Sequence, residues 1–291
     1  MKSRFTVASA QYPLTRLSSW DEYAHSIEGW VARGTGEGAS LLVFPEYASL
    51  ELVSLLPEYQ ELCLERQLAA LQELYKPYGE LYRYLAKKYN VFILAGTFPL
   101  LKNGRYFNTA PFFFPNGEAI SQEKRIMTLF ERNELGISSG RGPELIDCDL
   151  GRLCVAICYD SEFPLLVRQP AEAGADVVLV PSCTDTLAGY WWVRIACQAR
   201  ALENQCYVVQ SPTIGSADWC SAIDKNVGAA GVFGPPDVGF PADGVVAMGE
   251  LNKPGWVYAD VDLETVRQVR AEGDVFNHKH WQEQFPVRPV Q

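Results

Sequence analysis

RLCVAICYDSEFP, residues 152–164, is a run of strand-forming residues that stops at a cysteine and breaks at once into polar, acidic and proline residues. Five other segments share this shape: FTVASAQ at 5–11, SLLVFPEY at 40–47, VFILAGTF at 91–98, DVVLVPSCTD at 176–185 and CYVVQSPT at 206–213. Apolar runs of this length, without polar alternation, predict strands buried on both faces. Helices are expected between them over 20–34, over 61–89 with a break at Pro77, over 163–174 and over 189–205. Strands alternating with helices define an α/β chain. From 99 to 125 the texture changes, because Asn103-Gly104 and Asn116-Gly117 are hairpin signals flanked by strand-like residues. An antiparallel meander therefore makes the sheet mixed. The segment 214–244, rich in Gly, Pro, Ala and Asp, reads as a long loop over one edge, and GWVYADVDLETVRQVR at 255–270 as a last strand and helix. No linker or charge run divides the chain. One domain over 1–275 is expected, followed by a C-terminal arm over 276–291 that packs on another surface such as a partner subunit.

With 291 residues and 48% hydrophobic content, the chain can bury a sizeable core as a soluble globular protein. A net charge of −10 and the lack of a basic cluster argue against a nucleic-acid partner. The N-terminus reaches Pro13 before any leader-like apolar stretch, and no run approaches the roughly 18 apolar residues of a membrane helix. A cytoplasmic protein with eight reduced cysteines is the expectation. There is no CxxC pair, and His25, His278 and His280 lie far from the thiols in sequence, so a zinc site is not expected.

In open α/β sheets functional groups collect beyond the carboxyl ends of the strands. Those positions hold Glu46, Cys158, and Ser182, Cys183 and Thr184, while Lys124 and Glu131 flank the exit of the meander. A cysteine nucleophile needs a base and a group to hold the oxyanion. No histidine is well placed, but a buried carboxylate with a raised pKa can act as the base, and a lysine can stabilise both thiolate and oxyanion. Taken singly, each residue has a plainer reading: Cys158 as a structural thiol, Lys124 as a solvated charge, Glu46 as a surface carboxylate.

The set as a whole resembles a known family. LLVFPEYA, the lysine of EKRIM and VAICYDSEFP, in that order, look like the three signature motifs of the nitrilase (carbon–nitrogen hydrolase) superfamily. QARALENQCYVV at 198–209 and the closing GWVYADVDLETVRQVR extend the likeness over roughly residues 4 to 270. The resemblance implies a four-layer α-β-β-α sandwich with mixed sheets, and a homodimer or larger homo-oligomer formed through the helices over 163–174 and 189–203. It implies Glu46 as general base and Cys158 as nucleophile. Lys124 and the Tyr159 backbone N–H would hold the oxyanion, and Glu131, rather than Glu134, would be a second active-site glutamate. Asp160 and Glu162 would brace the turn after the nucleophile. No metal or organic cofactor is required.

The implied reaction is hydrolysis of a small amide or carbamoyl C–N bond through a cysteine thioester. A true nitrilase or an acyl transferase would use the same intermediate, and a non-catalytic binding protein on the same fold is the alternative from another class. After DVVLV many relatives carry a small residue and then Asn or Trp, whereas this chain has PSCTD, with Ser182, Cys183 and Thr184 expected to touch substrate. Tyr190, Trp191, Trp192 and Phe130 are candidates for the pocket wall, with interface or core as the other reading of the two tryptophans. RIMTLFERNELGISSG resembles a less characterised branch, some of whose members are fused to an acetyltransferase-like domain. No such domain is expected within these 291 residues.

Overall fold

Alternation along the first strands decides the layering. The computed structural model describes residues 3–285. It opens with β1 (Arg4–Pro13), β2 (Leu41–Phe44) and β3 (Phe92–Ala95), which lie side by side in parallel. The meander β4 (Phe98–Lys102), β5 (Arg105–Phe113) and β6 (Ala119–Glu123) adds antiparallel pairs on one side of them. In the second sheet β7 (Ile146–Cys148), β8 (Gly151–Val155), β9 (Val177–Ser182) and β10 (Tyr207–Ser216) follow one another. β11 (Lys225–Asn226) pairs with the end of β10, and β12 (Gly231–Phe233) and β13 (Val245–Met248) extend its edge. β14 (Gly255–Asp262) returns to pair with β1 along eight residues. The two sheets are joined by backbone pairing where the end of β1 meets the end of β10, at Tyr12–Thr213 and Pro13–Ile214.

One face of the first sheet carries Ala8, Ala10, Leu42, Phe44, Ile93 and Ala95, packed against α1 (Trp20–Gly36) and α3 (Tyr75–Tyr89). The other carries Val7, Leu41, Val43, Leu94 and Phe112, packed with Val155, Val177, Leu179 and Val208 of the second sheet. That second sheet is covered in turn by α6 (Leu187–Asn204), through Val193, Cys197 and Ala201, with α5 (Pro164–Glu172) beside it. The result is the α-β-β-α sandwich. Each fully buried Leu, Val or Phe of the central layer contributes ~1.5–3 kcal/mol.

Three local expectations need correction. The helical stretch over 61–89 breaks at residues 72–74, between α2 (Leu64–Leu71) and α3, and not at Pro77. Pro77 sits in the first turn of α3, where its missing N–H has no intrahelical acceptor to lose. The run over 91–98 is two strands, split at Gly96-Thr97. The segment 214–244 is not one loop, since it contains the end of β10, all of β11 and β12. The chain closes with α7 (Leu263–Glu272), and the described part of the arm packs on its own chain. There Arg168 lies over the Trp281 ring at 4.7 Å, its guanidinium donates to the His278 carbonyl at 2.6 Å, and the His278 N–H donates to Gln205. Residues 286–291 of the expected arm lie outside the described residues. Among the described residues no helix is long and apolar enough to cross a membrane.

Candidate active site

Glu46 leaves β2 after Pro45, and Tyr47 follows with φ +56°. A non-glycine residue there is uncommon and persists only when its surroundings hold it. The hold comes from the neighbouring exit of β3. The Tyr47 N–H donates to Thr97 Oγ1 at 2.9 Å, and Ser49 Oγ donates to the Thr97 carbonyl at 2.7 Å. Gly96 makes that approach possible, because a Cβ there would lie 2.2 Å from the Pro45 carbonyl oxygen and its φ is +71°.

Lys124 follows β6 and is fixed along its backbone. Its N–H donates to the Asn108 carbonyl and its carbonyl accepts from Gly140, at 2.9 and 2.8 Å. Asp160, two residues past Cys158, accepts from the N–H groups of Arg125 and Ile126 at 3.0 and 2.8 Å, so it ties the lysine loop to the cysteine turn. The Lys124 ammonium is buried between two carboxylates, 2.8 Å from Glu46 Oε1 and 2.7 Å from Glu131 Oε2. Glu131 is aimed by a capping box at the start of α4 (Leu129–Asn133): Thr128 Oγ1 accepts from the Glu131 N–H, and Glu131 Oε2 accepts from the Thr128 N–H. Glu134 is exposed, and it is Glu131 that meets the lysine.

Cys158 begins a single 3₁₀ turn, Cys158–Glu162, three residues beyond the end of β8, and its φ is +47°. Ser161 Oγ donates to its carbonyl at 2.6 Å. The thiol is directed at the Cys183 carbonyl, 3.9 Å away, while the Cys183 N–H donates to Glu46 Oε2 at 3.1 Å. The exit of β9 therefore joins the thiol and the carboxylate.

Two further residues complete the cluster and were not found in the sequence. Asn108 Nδ2 donates to Glu46 Oε1 at 2.8 Å and to Glu131 Oε1 at 3.1 Å, and the Tyr47 hydroxyl donates to Glu131 Oε1 at 2.8 Å. A polar Asn inside the hairpin strand β5, one register step from Phe98↔Thr109, was the available signal for Asn108. Tyr47 gave none.

Burial sets the electrostatics. Desolvation raises the Glu46 carboxyl to about 7, opposed by Lys124 and assisted by Glu131. Burial works against charge on Glu131 too, but Lys124 and the hydrogen bonds from Thr128 and Tyr47 hold its pKa below the ordinary value. Burial likewise disfavours the Lys124 cation, yet the two glutamates win and keep it charged. Burial, then the field of Glu46, pushes the Cys158 thiol well up, with Lys124 acting in the opposite sense. The resting thiol is therefore protonated and sits beside a carboxyl able to accept a proton near neutral pH.

The cluster lies at the base of a cavity of about 880 Å³. Cys183, Thr184, Phe130 and Trp192 line it, as does Tyr159. Trp191 does not: it is an exposed residue of α6, and Tyr190 is buried beside it. Ser182 is a correction, because it points into the sheet layer and its hydroxyl donates to the Ser211 carbonyl at 3.3 Å. Adjacent residues of a strand face opposite ways, so only one of Ser182 and Cys183 can face the cavity. Among the described residues no three acidic, cysteine or histidine side chains are arranged around a metal. Glu46 and Glu131 already share Lys124.

The fold is that of the nitrilase superfamily. Residues 6–271 match the carbon–nitrogen hydrolase family, and the chain belongs to it. It is 36% identical over 277 residues to a probable hydrolase of Bacillus subtilis, YhcX, spanning 94% of this chain and 53% of that protein, about half its length. It is 30% identical over 210 residues to the deaminated glutathione amidase of Synechocystis, spanning 67% of this chain and 73% of that one. Among solved structures, Saccharomyces cerevisiae Nit3, a member of branch 10 of the nitrilase superfamily, superposes with a TM-score of 0.70 at 24% identity, covering 92% of this chain and 93% of that one. The Caenorhabditis elegans NitFhit protein does so with 0.75 at 22%, covering 95% and 65%. These two likenesses concern the fold alone.

Proposed function

We propose that this chain hydrolyses a small-molecule amide or carbamoyl C–N bond through a Cys158 thioester. The observation that carries this reading is the buried Lys124 bound by Glu46 and Glu131 next to a thiol, at the base of a cavity. A merely structural core gains nothing from one cation and two carboxylates, which are expensive to desolvate. Glu46 takes the thiol proton as Sγ attacks the carbonyl carbon. Lys124 Nζ and the Tyr159 N–H, in the first turn of its 3₁₀ helix and so without an intrahelical acceptor, receive the oxyanion. Glu46 then returns the proton to the leaving nitrogen, and ammonia or an amine departs. A water deprotonated by the same carboxylate attacks the thioester carbon, the C–S bond breaks to release the acid, and Cys158 Sγ takes the proton back from Glu46. Glu131 and Asn108 keep Lys124 and Glu46 in place, and Cys183 and Thr184 contact substrate.

The same reading extends to assembly and location. Leu187, Trp191 and Ile195 expose one apolar row of α6, and Leu165 of α5 is exposed as well, which suits a homodimer through these helices. All eight cysteines are unpaired, which suits the cytoplasm. The catalytic domain spans 1–275 and is followed by an arm over 276–291, in the less characterised branch.

The test is ammonia release from simple amides, ω-amides, N-carbamoyl compounds and nitriles, with wild type beside Cys158→Ala. Release by wild type alone is expected, from amides or carbamoyl compounds. Release from nitriles only would replace the amidase by a nitrilase. Equal release by both proteins would remove Cys158 from the reaction.

A further inference from the structure

The charges around the cavity do not balance. At its mouth Arg132 and Lys225 are opposed by Asp185 and Asp224, all four exposed. Deeper in, Lys124 is already committed to Glu46 and Glu131. That leaves Glu162, four residues past the nucleophile on the same 3₁₀ turn, half-buried in the cavity wall. Among the described residues it has no ion-pair partner; what acts on its carboxyl is burial, followed by the field of Lys124. Of the two acidic residues expected to brace the turn, Asp160 does so, through the N–H groups of Arg125 and Ile126, and Glu162 makes no such contact among the described residues. With Glu46 ionised as a base, one cation faces three carboxylates. Four aromatic residues share the wall with the aliphatic Ile126, Met127, Leu129 and Val193: Tyr159 and Phe163, packed edge to face at 4.9 Å, with Phe130 and Trp192.

We infer that Glu162 is a specificity-determining residue that selects amides or carbamoyl compounds carrying a cationic group, an ammonium or guanidinium on an apolar spacer. A half-buried carboxylate without a partner is destabilised by lost hydration, and a substrate cation arriving at it restores the missing interaction. Aromatic faces favour the same charge. An anionic substrate of equal size meets three carboxylates and is rejected by like charge. The inference rests on the hydrolase reading above.

The experiment compares kcat/KM for amides matched in size and bearing a cationic, neutral or anionic tail, in wild type, Glu162→Gln and Glu162→Arg. Wild type should prefer the cationic amide over its neutral isostere by about tenfold or more, with the anionic one last. Glu162→Gln should reduce that ratio about tenfold, chiefly through KM, and Glu162→Arg should invert the ranking. Equal use of the three amides by wild type, or a ratio unchanged in Glu162→Gln, overturns the inference and leaves the hydrolase reading standing. A second measurement needs no turnover. Cationic and anionic methanethiosulfonates of similar size are allowed to modify Cys158, followed by peptide mapping. Faster modification by the cationic reagent in wild type, with the bias lost in Glu162→Gln, supports the inference even if every amide is inert. No bias, or the opposite one, refutes it.

Discussion

Glu46 and Glu51 stand five residues apart on one segment, both almost completely buried, and burial raises both carboxyls, to about 7 and about 8. Their surroundings differ in kind. Glu46 meets a lysine, an amide and a backbone N–H, and faces a cavity with a thiol. Glu51 is buried beside the first sheet, accepting from the Tyr12 hydroxyl at 2.5 Å and from the Thr15 N–H at 3.2 Å, with no ion-pair partner among the described residues. A raised carboxyl is thus no signature of a site by itself. What separates the two is access to a reacting atom and a cation that stays charged when the carboxyl ionises.

The sharpest way to break this contrast is at the thiol. Cys158→Ala should lower kcat by at least ~10⁴ while leaving thermal unfolding nearly unchanged, whereas a structural thiol would show the reverse. Lys124→Met should cost about 3–5 kcal/mol of stability, measured by denaturant unfolding, because it strands two neighbouring buried carboxylates, and should also abolish measurable turnover. Activity should rise with pH through about 7 as Glu46 loses its proton, and not through the ordinary 4.5; a kcat/KM profile already flat at pH 6 would contradict its burial.

Glu51 predicts an effect on stability alone. Its folded pKa lies above the ordinary 4.5, so its contribution is fully present below pH 4.5 and is lost as pH rises through about 8. Glu51→Gln should flatten that decline by ~1 kcal/mol per pH unit between those values, without moving the activity profile. Tyr47→Phe, which removes one of the donors on Glu131, should lower kcat about tenfold or less, the smallest of these effects.

Much of this site was legible in the sequence, because its loops sit at strand ends whose apolar runs stop abruptly. Glu46 and Cys158 follow such runs, and their exits are stabilised locally by residues nearby in the chain or in the next strand. Glu131 stands at the exit of the meander and also carries a local signal, since TLFE at 128–131 is a capping box, although its role came only from the resemblance. Lys124 read singly as a solvated charge, and only its burial between Glu46 and Glu131 reverses that. Asn108 was missed because a strand asparagine acquires its role from the partners that a hairpin brings to it. Ser182 was placed on the wrong side because the facing of a strand-end residue depends on which neighbour covers each side of the sheet.

By itself the sequence determined the alternating strands and helices, the mixed sheet and the loops that carry Glu46, Lys124 and Cys158. Those properties follow from local composition, because a strand covered on both faces must be apolar throughout and a turn needs its breakers. The tertiary structure alone decided that Lys124 keeps its charge, that the Glu46 carboxyl titrates near neutrality beside a cavity while Glu51 is sealed away from it, and that Glu162 lines the cavity with no ion-pair partner among the described residues. Desolvation and Coulomb interactions depend on distance and on what has been packed around a group, and neither is written in its neighbours along the chain.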